Sequence, residues 1–517
     1  MCETINRFKY YLISLAGNCY KIKKIDVTRD NINMENINLV DAVNKLVKAN
    51  LYLKYHDSWD DWKTYVKHQE ILYIIHSMEA PLPQRRAYAY KVSPNVSTSE
   101  QPLIKTLLFK LERLNKVKQF YKWASYNGVR YDGFKFQKFP DLHCGLVAEQ
   151  DIKKDKLMLS IPRKLMLTGE HLDCTLFDRL PHMKLVLALI EESLKPDSFW
   201  RPYIDILPNS YNTVLYFTVK EMSELKGSNA LPKILEFCKN VNRTYVEIFY
   251  YIKKDMQQFN YDLFRWAVST VMTRENLIPR SKPLPGEETP STIAALIPFW
   301  DMANHRNGSI SSFFNVETQE MESKAQEDFK KGEQVFIHYG DRSNAELMTH
   351  NGFINAQNPK DSVTIKLGLS TSDALFAKRN QLLQLLNIPK TCELKVLPPP
   401  EHISSELLGF VRVFNMNEEQ LDHWITSERA MDLLHIDCAL ETELESKTWQ
   451  YLQIRLMLLL RAFFTTLEDD ENLFEGLKKG EIKPARTYIQ MMILEYRILE
   501  KRILTAALDY AKQRTKA

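Results

Sequence analysis

A chain of 517 residues with 69 basic and 65 acidic side chains has a formal charge of +4, too balanced to mark a nucleic-acid binder by charge alone. Apolar residues make up 44%, and 15 glycines with 22 prolines exclude a collagen-like or low-complexity chain. No stretch reaches about 18 uninterrupted apolar residues, which excludes a membrane-spanning helix, and at roughly 100–200 residues per domain two to four domains are expected.

Residues 1–57 are polar and Asn/Lys-rich and give no clear structural reading. The short apolar run at 10–17 reads as an ordinary buried segment rather than a signal sequence, because the cysteines point to a reducing compartment. Those cysteines, at 2, 19, 144, 174, 238, 392 and 438, are odd in number and include no CxxC pair. Neither a disulfide framework nor a structural zinc site is expected. From 58 to 75 apolar residues recur at helical spacing (Trp62, Tyr65, Val66, Ile71, Ile74, Ile75), and a second helix is expected from Leu103 to Asn127, ending near Gly128. A Pro/Ser-rich connector at about 79–102 separates them.

The pattern then shortens. Strands are expected at 134–139, 146–148 and 156–161, followed by helical spacing from about Leu176 to Met272. A turn-rich loop at 280–291 precedes short strands at 293–298, 311–316 and 335–339, and 363–369 alternates cleanly. Past Asp373 the reading is helical almost to the end, with Ile489, Met492, Ile493, Tyr496, Leu499 and Ile503 forming one stripe, the usual mark of a core face.

Four segments place polar residues inside apolar strands: FPDLHCGL at 139–146, VMTRENLIP at 271–279, IPFWDMANH at 297–305, and FIHYGDRSNAE at 336–346 followed by HNGF at 350–353. Singly, each has a plain reading. Asn304–His305 reads as a turn after a buried strand, and Tyr339 as a strand end whose hydroxyl bonds a nearby carbonyl. The twelve histidines include no HExxH, and neither a phosphate-binding GxxxxGK[ST] nor a GxSxG elbow occurs.

In this order, the segments resemble the SET-domain methyltransferases: a strand-turn glycine (Gly145), the D-x-x-N-H run from Asp301 to His305, and a late tyrosine, Tyr339. The helical insert and helical C-terminal part are similar to the Rubisco large-subunit methyltransferase subgroup. DSWDDWKTYV, YKWASYNG, SFWRPYIDILP, FRWAVSTVMTREN, IPFWDMANH and YGDRSNAE together resemble, from about 58 to 505, that subgroup's actin-histidine branch.

The resemblance implies an α+β fold: a SET domain of small knotted β-sheets with a helical insert, preceded by a helical arm and followed by an all-α substrate-binding domain. The implied divisions are 1–57, a helical region 58–131, a SET domain 132–340 with its insert at about 170–275, and 341–517. It implies S-adenosylmethionine-dependent methylation of a histidine of actin, giving 3-methylhistidine at the tele nitrogen, by a monomer that is cytoplasmic, or cytoplasmic and nuclear, with no nucleic-acid or membrane partner. A lysine methyltransferase of the same build and a catalytically silent protein-binding module remain alternatives.

By the same resemblance, Asn276 and Tyr339 are catalytic, and Trp300, Asp301 and Arg342 bind substrate. The cofactor falls to Arg113, Leu142, His143, Cys144, Arg274, Asp301, Met302, Ala303, Asn304, His305, Asn351, Gly352 and Phe353. No metal site is expected. Asn276 favours histidine over lysine, because an amide can orient an imidazole through one ring nitrogen while the other attacks. In the turn at 142–144 the chain departs from the family, with His143 standing where a glycine is usual and Cys144 where an aromatic is usual.

Overall fold

The computed structural model describes residues 116–139, 143–172, 180–255, 258–284 and 291–516 except 439 and 484, together with 69, 177, 286 and 287. Apart from residue 69, the expected helix at 58–75 lies outside the described residues, as do 1–57, the first part of the expected helix at 103–127 and the candidates Arg113 and Leu142. The described residues fall into two compact units: one contains 116–211 and 237–340, the other 212–236 and 341–516. Residues 212–236, inside the expected insert, thus belong with the C-terminal part of the chain.

The first unit opens with a helix at 116–126 that stops at Gly128, whose φ of 95° suits a residue without Cβ. Eleven strands follow among the described residues: β1 (Arg130–Tyr131), β2 (Phe134–Phe139), β3 (His143–Ala148), β4 (Leu157–Pro162), β5 (Leu167–Thr168), β6 (Glu275–Pro279), β7 (Thr292–Leu296), β8 (Asn304–His305), β9 (Ser312–Asn315), β10 (Glu320–Lys324) and β11 (Gln334–Ile337). They form three small sheets, ordered β1-β4-β10-β9, β2-β3-β11-β8 and β5-β7-β6. All pairings are antiparallel except β8 with β11, which sets Asn304 beside Phe336 and His305 beside Ile337.

Between β5 and β6 runs the helical insert. Its spacing is broken where sequence breakers fall: Pro202 sits in the first turn of the helix Arg201–Ile204, and Pro208 follows it. The helix Tyr261–Arg274 starts where the Asn260 side chain accepts from the Leu263 N–H at 2.8 Å, and it passes directly into β6. Its inner residues Phe264, Ala267 and Val271 are buried, as are Leu185, Leu189, Ile293 and Leu296. The expected strands are present. β1, β5, β6, β8 and β10 stand where no strand was expected; β10 is hidden because, of its two buried positions, only Met321 is apolar and the other is Ser323.

The second unit holds β12 (Val363–Gly368), which pairs antiparallel with β13 (Thr391–Val396) over six residue pairs. The expectation of an all-helical chain past Asp373 is therefore corrected at β13. There Leu394 and Val396 face inward while Thr391, Glu393 and Lys395 are exposed, a period of two. The rest is helical: Phe376–Leu385, Ser405–Asn415, Glu418–Thr426, Thr442–Arg461, Leu467–Lys478 and Tyr488–Lys516. Leu382, Val396, Val411, Leu421, Leu456 and Leu504 lie in one apolar core. Among the described residues no helix is long and apolar enough to cross a membrane.

Candidate active site

Helix Tyr261–Arg274 delivers Arg274 at its last turn. Its Nη1 donates to the Asp301 carbonyl at 2.7 Å and to Asp301 Oδ2 at 3.3 Å, and lies 3.7 Å from Met302 Sδ. Tyr203, fully buried, donates its hydroxyl to the same Oδ2 at 2.5 Å. The Asp301 side chain has no solvent exposure, so its carboxylate acts here as an internal counter-ion, not as an open substrate contact. Burial opposes the charge on Arg274, yet Asp301, with Tyr211, Tyr203 and Tyr339 around it, raises its pKa and keeps it protonated. Burial, then the Asp301 charge, pushes the Tyr203 phenol well above its usual range, so it stays a donor.

Asp301 lies in a single 3₁₀ turn, Trp300–Met302, entered through Phe299 at φ 75°, ψ −53°. That conformation is strained for a bulky residue and costs about 1–3 kcal/mol unless the surroundings impose it. Five rings do so: Phe120, Tyr121, Tyr131, Phe134 and Phe136 pack around it with centroids 4.9–6.5 Å away. Trp300 Nε1 donates to Ser312 Oγ at 2.8 Å, which ties the turn to β9.

Asn304 Nδ2 donates to Gln334 Oε1 at 2.6 Å and to the Cys144 carbonyl at 3.3 Å. A Cβ on Gly145 would stand 2.7 Å from that Nδ2 and 2.8 Å from that Oε1, so this glycine serves a close approach. His143 and Cys144 correct the turn expectation: both lie in β3, paired with Phe139 and Lys138 of β2. His305 Nδ1 accepts from the Tyr339 N–H at 3.1 Å, while Nε2 is 3.1 Å from Asn307 Oδ1. The acceptor role of Nδ1 assigns the proton to Nε2. The Tyr339 hydroxyl donates to the Ala303 carbonyl at 2.7 Å, and its ring lies 5.1 Å from that of His305.

Asn276 stands on β6 two residues beyond Arg274, opposite Ala295 of β7, the strand that leads into the Trp300 turn. It is half-buried, and its Oδ1 accepts from the Leu277 N–H at 2.9 Å, which fixes the orientation of the amide.

The remaining candidates belong to the second unit. Arg342 Nη1 donates to Asn351 Oδ1 at 2.6 Å. Asn351 ends a π-helical turn, Leu347–Asn351, a local feature frequent at functional sites. Gly352 follows at φ 75°, where a Cβ would press on the Asn212–Thr213 backbone at 2.7–2.9 Å, and Phe353 is half-buried. The first unit thus brings together Cys144, Arg274, Trp300–His305 and Tyr339 through direct contacts, with Asn276 on the adjoining strand. Tyr203, Phe299, Asn307, Ser312 and Gln334 complete the arrangement without having been expected. Tyr203 and Phe299 stood inside the quoted runs SFWRPYIDILP and IPFWDMANH; nothing in the sequence pairs Gln334 with Asn304.

An anion fits this site. Arg274 Nε is buried without a hydrogen-bond partner, while Nη1 is spent on Asp301. A carboxylate such as that of an amino-acid moiety would satisfy the unpaired N–H.

Residues 143–340 match the SET domain, and residues 370–504 match the Rubisco LSMT substrate-binding domain. An actin-histidine N-methyltransferase of Drosophila melanogaster is 44% identical over 88% of this chain and 86% of its own. One of Xenopus tropicalis is 36% identical over 80% and 72%. A solved structure of Rubisco LSMT bound to AdoMet aligns with a TM-score of 0.61 over 78% of this chain and 92% of that chain, at 23% identity, a likeness of fold.

Proposed function

This chain belongs to the actin-histidine N-methyltransferase family of SET-domain proteins, and from that premise we propose that it transfers a methyl group from S-adenosylmethionine to the tele nitrogen of a histidine of actin. S-adenosylmethionine, when bound, supplies a methyl on a sulfonium that a lone pair takes in line. The unpaired Nε of Arg274 would meet the methionine carboxylate. Met302, Ala303, Asn304 and His305 would hold the amino and adenine groups, chiefly through their backbone, beside Cys144. Asn351, Gly352 and Phe353 are proposed to cover the adenine, and Arg342 to anchor the substrate backbone.

The observation that carries the choice of nucleophile is Asn276. A neutral imidazole attacking through its tele nitrogen bears its proton on the other ring nitrogen, which needs an acceptor. Asn276 Oδ1 uses one lone pair on the Leu277 N–H and has a second to offer. No strong base is needed: histidine, with a pKa of ~6.5, is mostly neutral at pH 7, whereas freeing a lysine amine there costs roughly 4–5 kcal/mol. Tyr339 suits this, since its hydroxyl is committed to the Ala303 carbonyl and its ring serves as a wall. Trp300 would close the opposite side and exclude water. The methylated ring releases its surplus proton to solvent.

The peptide would lie along β9. This is the outer strand of its sheet, Phe313 on it and the flanking Ile310 and Val316 are exposed, and an extended segment can add to such an edge. A cytoplasmic location accords with an actin substrate. The test is mass spectrometry of purified actin incubated with this protein and isotopically labelled S-adenosylmethionine. Label on one histidine, at the tele nitrogen, is expected; label on lysine, or none, overturns the reading.

A further inference from the structure

Arg274 and Asp301 alone would make a neutral pair, and a neutral pair attracts a second carboxylate weakly. Tyr203 changes that balance. Its hydroxyl, fully buried in the insert helix Arg201–Ile204, donates to Asp301 Oδ2, the same oxygen that faces Arg274 Nη1. A short O–H···O⁻ bond draws the carboxylate's charge away from the guanidinium and fixes the carboxylate plane. Arg274 is thereby held by Nη1 against the Asp301 side chain and carbonyl, with its buried Nε still unpaired.

We propose that Tyr203 is a positioning residue for cofactor recognition: through Asp301 it sets the aim and the effective charge of Arg274 toward the carboxylate of the bound cofactor. This rests on the reading of Arg274 given above. The ring of Tyr203 packs against Phe120, with centroids 6.4 Å apart, and a phenylalanine keeps that packing, so the hydroxyl can be removed by itself.

The experiment is calorimetric titration of the full chain and of Tyr203→Phe with two ligands. S-adenosylhomocysteine carries the carboxylate; 5′-methylthioadenosine shares the nucleoside and sulfur but lacks it. Tyr203→Phe should weaken S-adenosylhomocysteine roughly 10-fold and leave methylthioadenosine within about twofold. A variant that only loosened the fold would weaken both alike, and that result, or no loss at all, overturns the proposal. Asp301→Asn removes the counter-charge through which Tyr203 acts, so it should spare or tighten S-adenosylhomocysteine relative to methylthioadenosine, and in that background Tyr203→Phe should change neither ligand by more than about twofold. A loss selective for S-adenosylhomocysteine in Asp301→Asn alone, or a Tyr203→Phe loss that persists in the Asp301→Asn background, would also overturn it. This second variant decides the matter if Tyr203→Phe fails to fold. Wild-type protein that binds neither ligand would instead bring down the functional reading, and this proposal with it.

Discussion

At the scale of single residues, the proposed choice of histidine rests on one amide. Asn276→Phe removes the acceptor for the second imidazole nitrogen and fills part of the space a flat ring needs. Leaving a buried N–H unpaired costs roughly 1–3 kcal/mol, which lowers histidine turnover roughly 5- to 150-fold at ~1.4 kcal/mol per tenfold. The check is a pair of peptides that differ only in His or Lys at the target position, assayed with both enzymes across pH. Lysine turnover should appear in the variant and rise with pH, while histidine turnover levels off above about pH 7. Wild-type histidine activity in Asn276→Phe would remove the amide from the mechanism. Residue identity in this region was legible, because Asn276, Asp301, Asn304, His305 and Tyr339 stand in recognisable runs. What each side chain does was less so. Gly145 reads as a turn glycine from sequence, whereas its need is room for the Asn304–Gln334 contact, made by residues 30 positions apart. Asp301 reads as a polar residue for a ligand, and only the packing of Tyr203 and Arg274 from distant elements turns it inward.

At the scale of elements, the helix Tyr488–Lys516 shows where periodicity misleads. Of the stripe, Met492, Ile493, Tyr496 and Ile503 are buried as expected and Ile489 and Leu499 are half-buried, but Arg497, Glu500 and Lys501 are buried too. Arg497 and Lys501 are compensated by Asp470, at 3.0 and 2.7 Å to its Oδ2, a partner that helical spacing could not reveal. β13 was hidden differently: its alternation is real but only six residues long, and it stands between the helices Phe376–Leu385 and Ser405–Asn415. Among the described residues no cation pairs with Glu500. Its Oε1 accepts from the Asn229 N–H at 2.9 Å, the Ser228 and Tyr496 side chains stand beside it, and burial pushes its pKa up to about 6. A carboxyl raised on folding contributes stability that is fully present below its unfolded value of 4.5 and is lost as pH rises through 6. The loss is about 2 kcal/mol at ~1.36 kcal/mol per pH unit. Glu500→Gln cannot ionise, so its stability relative to wild type should climb by about that amount between pH 4.5 and 7. Urea unfolding of both proteins across that range measures it, and a difference that stays flat with pH would mean that Glu500 is accommodated as a charge.

At the scale of the molecule, two compact units with separate stretches of chain should unfold as separate cooperative steps, as multidomain proteins commonly do. This makes the division of the candidates testable. Arg274, Met302, Ala303, Asn304, His305 and Cys144 lie in the first unit, and Asn351, Gly352 and Phe353 in the second. A ligand stabilises only what it binds, by about 2.7 kcal/mol at a hundred times its dissociation constant. Saturating S-adenosylhomocysteine in a scanning calorimeter should therefore raise the first unit's transition by about that much. The second unit's shift should be smaller, because Asn351 Oδ1 is already taken by Arg342 and the Gly352 backbone is pressed against Asn212 and Thr213. Its contribution reduces to the Phe353 ring and a few backbone groups. The transitions can be assigned with Glu500→Gln, which should move only the second at neutral pH. A ligand shift confined to the first transition removes 351–353 from the cofactor set. A shift confined to the second would overturn the assignment of Arg274 and the 302–305 run, because no arrangement in which those residues hold the cofactor leaves their own unit unstabilised.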